Sequence, residues 1–292
     1  MNEVTAGSGN IVVGISVSEP SADDLVRLGL SELHVRHAFI EIVRHILARG
    51  WSIAHGGDLR VAGYTEALFD LVRTYDRRDL SGPDRIFSYL AWPVWLEMTM
   101  EQRAALANVA TIKMTKRPEG APETLRPYAE RQADELLWNS LALTTMRIAM
   151  NSEIHARVVL GGRISGQQGL CPGVVEESVL ALDSSVPLYV AGGFGGCGRV
   201  IASSLGGSRP IEMSVDYQLE HTSRYGDLLN EAISVGQAPD FTAMLDTFNA
   251  AGAGGLHNGL DSDDNRRLFT TDDVDVVVAL VLRGLRRMSQ PK

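Results

Sequence analysis

The chain has little cysteine, only Cys171 and Cys197 in 292 residues. That excludes a disulfide framework and every four-thiolate zinc pattern. Basic side chains are outnumbered too: 27 Lys and Arg stand against 36 Asp and Glu, a formal charge of −9. So acidic a chain lacks the basic footprint of a non-specific DNA or RNA binder, and no nucleic-acid partner is expected. A small anionic ligand stays open, because a local backbone site binds phosphate whatever the net charge. No apolar run reaches the length of a membrane span; the one near the C-terminus is Val276 to Leu282. The first twenty residues have no basic segment followed by a long apolar one, so they do not read as a secretory signal. The expectation is a soluble, reduced, cytoplasmic protein without a membrane partner.

What is present is an ordinary globular composition, with 45% hydrophobic residues to fill a core. Short β-branched runs alternate with helical stripes. Ile11 to Val17 reads as a strand buried on both faces, ended by Ser18-Glu19-Pro20. A helix is expected from about Glu32 to Arg49, with Val35, Phe39, Ile42, Val43 and Ile46 on one stripe and Gly50 as its stop. Further strands are expected at 51–54, 85–91, 156–160 and 187–190, and further helices at about 64–75, 174–182 and 199–205. This rhythm predicts an α/β fold, a Rossmann-like three-layer sandwich with a mostly parallel sheet and C-terminal helical additions. Residues 93–150 read as an insertion or peripheral layers within a single domain of 1–292, with helical additions over 211–292. The last helix, about 271–288, has Thr271 as its expected cap and Arg283, Arg286 and Arg287 at its negative end.

Glycines fall at the apparent carboxyl ends of strands: Gly14, Gly56-Gly57, Gly161-Gly162, and Gly192-Gly193 with Gly195-Gly196. In open parallel sheets ligands bind outside those ends, where strand order reverses. Glycine permits close backbone approach, and helix starts beyond it offer N–H groups to a phosphate. Four segments are therefore expected to meet at one crevice for a nucleotide-like anion. Gly193-x-Gly195-x-x-Gly198 is not a standard dinucleotide fingerprint, since it follows a late strand, and no Walker-type Gly-Lys-Ser/Thr occurs. No cofactor is implied.

The strand-one loop through Ser16 and Ser18, His55-Gly56-Gly57, and Ala191-Gly192-Gly193-Phe194-Gly195-Gly196 resemble the SLOG superfamily. These are Rossmann-like domains related to the Lonely Guy phosphoribohydrolases and DprA-type proteins. The chain looks most like the stand-alone or TIR-associated clusters linked to bacterial nucleotide signalling and defence. The resemblance covers about residues 10–90 and 155–210. It departs from the hydrolase pattern Pro-Gly-Gly-x-Gly-Thr-x-x-Glu, whose proline is Ala191 here, its threonine Gly196 and its catalytic glutamate Arg199. The stretch matching the family's His-Glu-Arg-Lys motif reads Val174-Val175-Glu176-Glu177-Ser178. The resemblance thus implies a nucleotide-derived ligand, an effector partner such as a TIR protein, and self-association into a homo-oligomer.

Individual residues carry two readings each. Arg199, Arg60 and Arg163 either hold phosphate or stand in solvent. Asp58 accepts from ribose or caps a helix. Phe194 and Tyr64 stack on a base or pack in the core. Glu176 and Glu177, or Glu19, serve as acid and nucleophile at a glycosidic carbon, or as capping and exposed acids. His55 is the histidine expected nearest the ligand. His34 and His37, three apart on a helix, lack further ligands for a metal, and 261–265 lacks the spacing of a calcium loop. Cys197 in the glycine turn reads as a small residue fitted to a bend, with a lowered thiol pKa as the alternative. Trp92 and Trp95 read as core or subunit contact. The expected function is a sensor for a nucleotide-derived second messenger, ADP-ribose-like or a cyclic nucleotide. The alternative is a nucleotide N-glycosidic hydrolase or transferase.

Overall fold

Apolar runs of four to seven residues are too short for stable helices and suit central strands. Such runs, with one polar edge segment as the fourth strand, form one sheet of six strands: β1 (Val12–Ser18), β2 (Ser52–Gly56), β3 (Ile86–Leu90), β4 (Thr111–Met114), β5 (Ala156–Gly161) and β6 (Leu188–Ala191). The computed structural model describes residues 11–56, 63–75 and 85–289. The strand order is β4-β3-β2-β1-β5-β6, and every neighbouring pair is parallel. Among the described residues, thirteen α-helices accompany it: α1 (Ala22–Arg27), α2 (Glu32–Ala48), α3 (Tyr64–Tyr75), α4 (Trp92–Glu97), α5 (Met100–Ala107), α6 (Ala133–Glu153), α7 (Gly173–Asp183), α8 (Gly196–Leu205), α9 (Val215–His221), α10 (Tyr225–Ser234), α11 (Phe241–Ala251), α12 (Ser262–Thr270) and α13 (Val274–Ser289). The result is a Rossmann-like three-layer α/β fold. Among the described residues, no helix is long and apolar enough to cross a membrane.

Strand alternation sorts the two faces. Val13, Ile15, Ile53, Ile86, Val158 and Leu160 pack with the apolar stripes of α2 and α13. The expected α2 stripe, Val35, Phe39, Ile42, Val43 and Ile46, is buried throughout, and Gly50 follows the helix with φ +83°. On the other face, Ala54 and Tyr89 meet Ala142, Met146 and Met150 of α6, and Val159 and Val190 meet Val175 of α7 and Ile201 of α8. Residues 93–150 contribute both β4, which extends the sheet beside β3, and α6, which covers β1 to β3.

An exposed strand edge invites pairing with another chain. The β6 edge is closed from within: the Leu188 N–H donates to the Leu256 carbonyl at 3.0 Å, and Asn258 Nδ2 donates to the Leu188 carbonyl at 2.7 Å.

Two local expectations are corrected. Gly14 lies mid-strand, not at a strand end; it pairs with Ala54 and Arg157, and a Cβ there would meet Ile154 Cδ1 at 2.7 Å. Thr271 does not cap the last helix. Asp273 does, accepting from the N–H groups of Asp275 and Val276 at 3.0 and 3.3 Å. Residues 261–265 open α12, with the Asp261 side chain accepting from the Asp264 N–H at 2.8 Å.

The segment joining α12 to α13 presses on the turn after β6. A Cβ at Gly193 would run into the Thr271 carbonyl oxygen, and one at Gly192 into that of Phe269. Backbone cannot swing aside as a flexible side chain does. Gly193→Ala is therefore expected to lower stability by about 1–3 kcal/mol, as overpacking does. Urea unfolding checks it; an unchanged midpoint would mean that Thr271 does not rest on this turn.

Candidate functional site

Because every strand runs the same way, all the carboxyl ends share one rim. The chain moves outward from β1 through β2, β3 and β4, then returns to place β5 on the other side of β1. The reversal point is thus between β1 and β5, where loops diverge and leave a crevice. A hollow of about 840 Å³ lies there. It is lined by the loop after β1 with α1 (Glu19, Ser21, Asp24, Arg27), the loop after β5 (Arg163, Ser165), Arg199 of α8, and Glu212, Tyr217 and His221 around α9.

Each wall has a local cause. The Ser21 side chain accepts from the Asp24 N–H at 3.2 Å and starts α1 directly after Pro20. Ser18 anchors the opposite loop, its Oγ accepting from the Arg163 N–H at 2.9 Å and its carbonyl from the Gly162 N–H at 2.8 Å. Buried Gln218 fastens α9 by donating from Nε2 to the carbonyls of Ile164 and Glu212 at 3.0 and 3.1 Å. Tyr217 and His221, one helical turn apart, stack at 4.1 Å with rings 15° from parallel. Burial raises the Tyr217 pKa, helped by the charges of Glu212 and Asp24, so its hydroxyl stays a hydrogen-bond donor.

The start of α8, expected as an open phosphate seat, is filled from within. The Gly196 N–H donates to Asp24 Oδ2 at 2.6 Å, and the Cys197 N–H to the Gly162 carbonyl at 2.9 Å. Asp24 is 4% exposed and puts a fixed negative charge at the positive end of the helix. Arg199 stands beside it, 3.5 Å from Asp24 Oδ1 through Nε and 2.9 Å from Glu212 Oε1 through Nη2. Burial alone would lower the Arg199 pKa, but the Glu212 hydrogen bond and the two carboxylate charges raise it. Arg199 Nε is buried and faces Asp24 as an ion pair without a hydrogen bond. Five carboxylates (Glu19, Asp23, Asp24, Glu32, Glu212) and three arginines (Arg27, Arg163, Arg199) share this lining. Such a mixture suits a ligand that presents hydroxyl donors as well as phosphate.

Glu19, Arg163 and Arg199 line this crevice, and Ser18 supports it through the Arg163 loop. Gly161 and Gly162 form its floor turn with φ of +59° and +105°, and a Cβ on Gly162 would meet Cys197 Cβ at 2.7 Å. Gly195 faces Asp24, whose Oδ2 would lie 2.9 Å from a Cβ there. Gly192 and Gly193 border a neighbouring hollow of about 560 Å³ that Arg199 also lines. Phe194 is fully buried in the core, and Tyr64 packs edge-on against Phe39 at 5.1 Å; both are packing residues, not stacking platforms. His55 is buried in β2 with Nδ1 3.2 Å from the Ile15 carbonyl. Gly56 ends β2 beside Met146. Gly57, Asp58 and Arg60 lie outside the described residues. Cys197 is buried, and burial pushes its thiol pKa up, opposite to an activated thiol. His34 Nδ1 accepts from the Ser31 N–H at 3.0 Å and caps α2.

Glu176 and Glu177 sit under the sheet, not in the crevice. Alternation along β1 and β5 turns Ser16 and Arg157 to the face that α6 and α7 cover. Arg157, 0% exposed, donates to Ser16 Oγ and to Glu177 Oε2, each at 2.7 Å. Ser16 also donates to Glu177, while Thr144 and Arg147 donate to Glu176. Desolvation lowers the Arg157 pKa; for Arg147 the two glutamate charges overcome burial and raise it. Removing one partner from such a pair strands a buried charge. Glu177→Ala is expected to destabilise the chain by about 3–5 kcal/mol. Chemical denaturation checks it, and a loss below about 1 kcal/mol would show that Arg157 finds water instead.

Sequence reasoning missed Asp24, Arg27, Glu212, Tyr217 and His221. Ser21-x-x-Asp24 is a readable helix-start pattern. Nothing local in Tyr217-x-x-x-His221 distinguishes a crevice wall from an ordinary surface pair.

No curated protein matches this chain in sequence. A family model described as SLOG cluster2 matches residues 8–268, which takes in all six strands, the crevice and α12 up to Leu268. The chain belongs to the SLOG cluster2 family, and so to a class of domains with nucleotide-related binding or processing roles.

Proposed function

We propose that the chain is a sensor that binds a nucleotide-derived second messenger, ADP-ribose-like or cyclic, in the switch-point crevice. The observation that carries this reading is the convergence there of Arg163 and Arg199, five carboxylates and the Tyr217–His221 stack. Guanidinium groups suit phosphate, carboxylates accept from ribose hydroxyls, and the aromatic pair offers a face to a base. A ribose-bearing nucleotide uses all three; bare phosphate would meet too much negative charge. The binding reading is favoured over glycosidic hydrolysis because Glu176 and Glu177 are committed to buried arginines, leaving Glu19 as the carboxylate of the expected three at the crevice. The resemblance to TIR-associated clusters supports a role in bacterial anti-phage signalling, with the bound chain self-associating and acting on an effector such as a TIR protein.

Calorimetric titration with nucleoside monophosphates, cyclic nucleotides, ADP-ribose and its cyclic form tests the reading. Binding of a ribose phosphate, weakened at least about tenfold in Arg199→Ala, is expected, since a lost charged hydrogen bond costs about 1.5–3 kcal/mol. No binding by any member of the panel would sink the proposal. Release of free base, lost in Glu19→Gln, would instead favour the hydrolase.

Asp24→Asn makes a sharper test. If a ligand phosphate must displace the carboxylate from Gly196, removing its charge should tighten nucleotide binding severalfold. Unchanged affinity in that variant would place the phosphate elsewhere in the crevice. Light scattering with and without the bound nucleotide reads self-association; a monomer under both conditions removes that part of the proposal.

A further inference from the structure

A third hollow, of about 380 Å³, has the opposite electrostatic character. Its lining is Arg49, Ala279, Leu282, Arg283, Arg286 and Arg287, four arginines with no carboxylate among the described residues. It forms where the C-terminal end of α2 meets α13, beyond the family-matched residues for all but Arg49. It shares no lining residue with the switch-point crevice. On a chain of net charge −9, four guanidinium groups gathered at one concavity require an account.

Two of the four are partly engaged. Arg283 Nη1 is 3.0 Å from Asp264 Oδ2, and Arg287 Nη1 donates to the Gly259 carbonyl at 2.8 Å. The guanidinium groups of Arg49 and Arg286 have no hydrogen-bond or ion-pair partner among the described residues. A cation near a helix C-terminus is favourable by about 0.3–1 kcal/mol, which explains each arginine singly. It does not explain their convergence, because like charges at a helix end separate into water when nothing bridges them. Nor is Arg49 needed to satisfy the end of α2, since Arg85 donates to the carbonyls of Leu47 and Gly50. Ala279 and Leu282 give the hollow an apolar wall, and the four guanidinium groups supply its donors. Planar forks of this kind match phosphate oxygens two at a time, and several are needed for a group with more than one phosphate.

We propose that this pocket is a second anion site, independent of the crevice, that takes a diphosphate group. The group comes either from free pyrophosphate or from the diphosphate of a nucleotide.

The test is titration of the full chain with inorganic pyrophosphate, inorganic phosphate and ADP. Saturable binding of pyrophosphate is expected, tighter than phosphate. It should weaken at least about tenfold in the Arg49→Gln, Arg286→Gln double variant and remain unchanged in Arg199→Ala. Arg286→Lys, which keeps charge but not the fork, should show a smaller loss. A thermal unfolding midpoint equal to that of the parent shows that these exposed substitutions leave the fold intact. ADP responding to the double variant as pyrophosphate does assigns the site to a nucleotide's diphosphate; pyrophosphate alone responding assigns it to the free anion. The proposal is overturned if pyrophosphate does not bind, if its affinity survives the double variant, or if binding is lost with Arg199.

Discussion

The crevice depends on a contact between two glycine turns. The turn after β5 and the turn that starts α8 meet backbone to backbone: the Cys197 N–H bonds the Gly162 carbonyl, and a Cβ on Gly196 would strike that same oxygen. Only residues without side chains, with the positive φ of Gly161, Gly162, Gly195 and Gly196, allow this approach. It brings the first turn of α8 to the point where strand order reverses. Arg199 then stands over the crevice, and Asp24 reaches the Gly196 N–H from α1 across it. Widening this contact would move α8 away and break the link between β1, β5 and the arginine.

The same closeness changes what the glycines do. They are spent on packing backbone against backbone, so the crevice is lined by side chains from the loops after β1 and β5 and from α1, α8 and α9. Asp24 stands in for a ligand anion at the helix start, held between a backbone N–H and the guanidinium groups of Arg27 and Arg199. The internal carboxylate satisfies the N–H groups and the helix dipole when nothing else does. It also raises the barrier to any phosphate, which must displace a charge already well coordinated.

Charge is distributed unevenly over this acidic chain. The crevice mixes carboxylates with arginines, the layer beneath it buries Arg147 and Arg157 against Glu176 and Glu177, and the α2–α13 hollow holds arginines without acids. Buried pairs of the middle kind add little net stability but penalise any arrangement that separates them. They hold α7 to α6 and to the middle of the sheet, and so fix the helix that follows the Arg163 loop.

Periodicity alone determined most of the architecture. The α2 stripe, the central strands and the parallel rhythm were legible because burial repeats every two or 3.6 residues along a continuous segment. The glycine pairs at strand ends were legible for the same reason, as breaks in that pattern. Short helices such as α1 and α9 were not, since six or seven residues carry too little period. Tertiary structure alone decided which groups line the crevice and which are consumed by neighbours. Glu176 and Glu177 look like a free acid pair in the chain, yet strand alternation aims Arg157 at them from β5. Gly196 looks like an open anion seat, yet Asp24, 172 positions away, takes it. Whether a polar group is free or satisfied depends on partners distant in sequence, and local pattern contains no information about them.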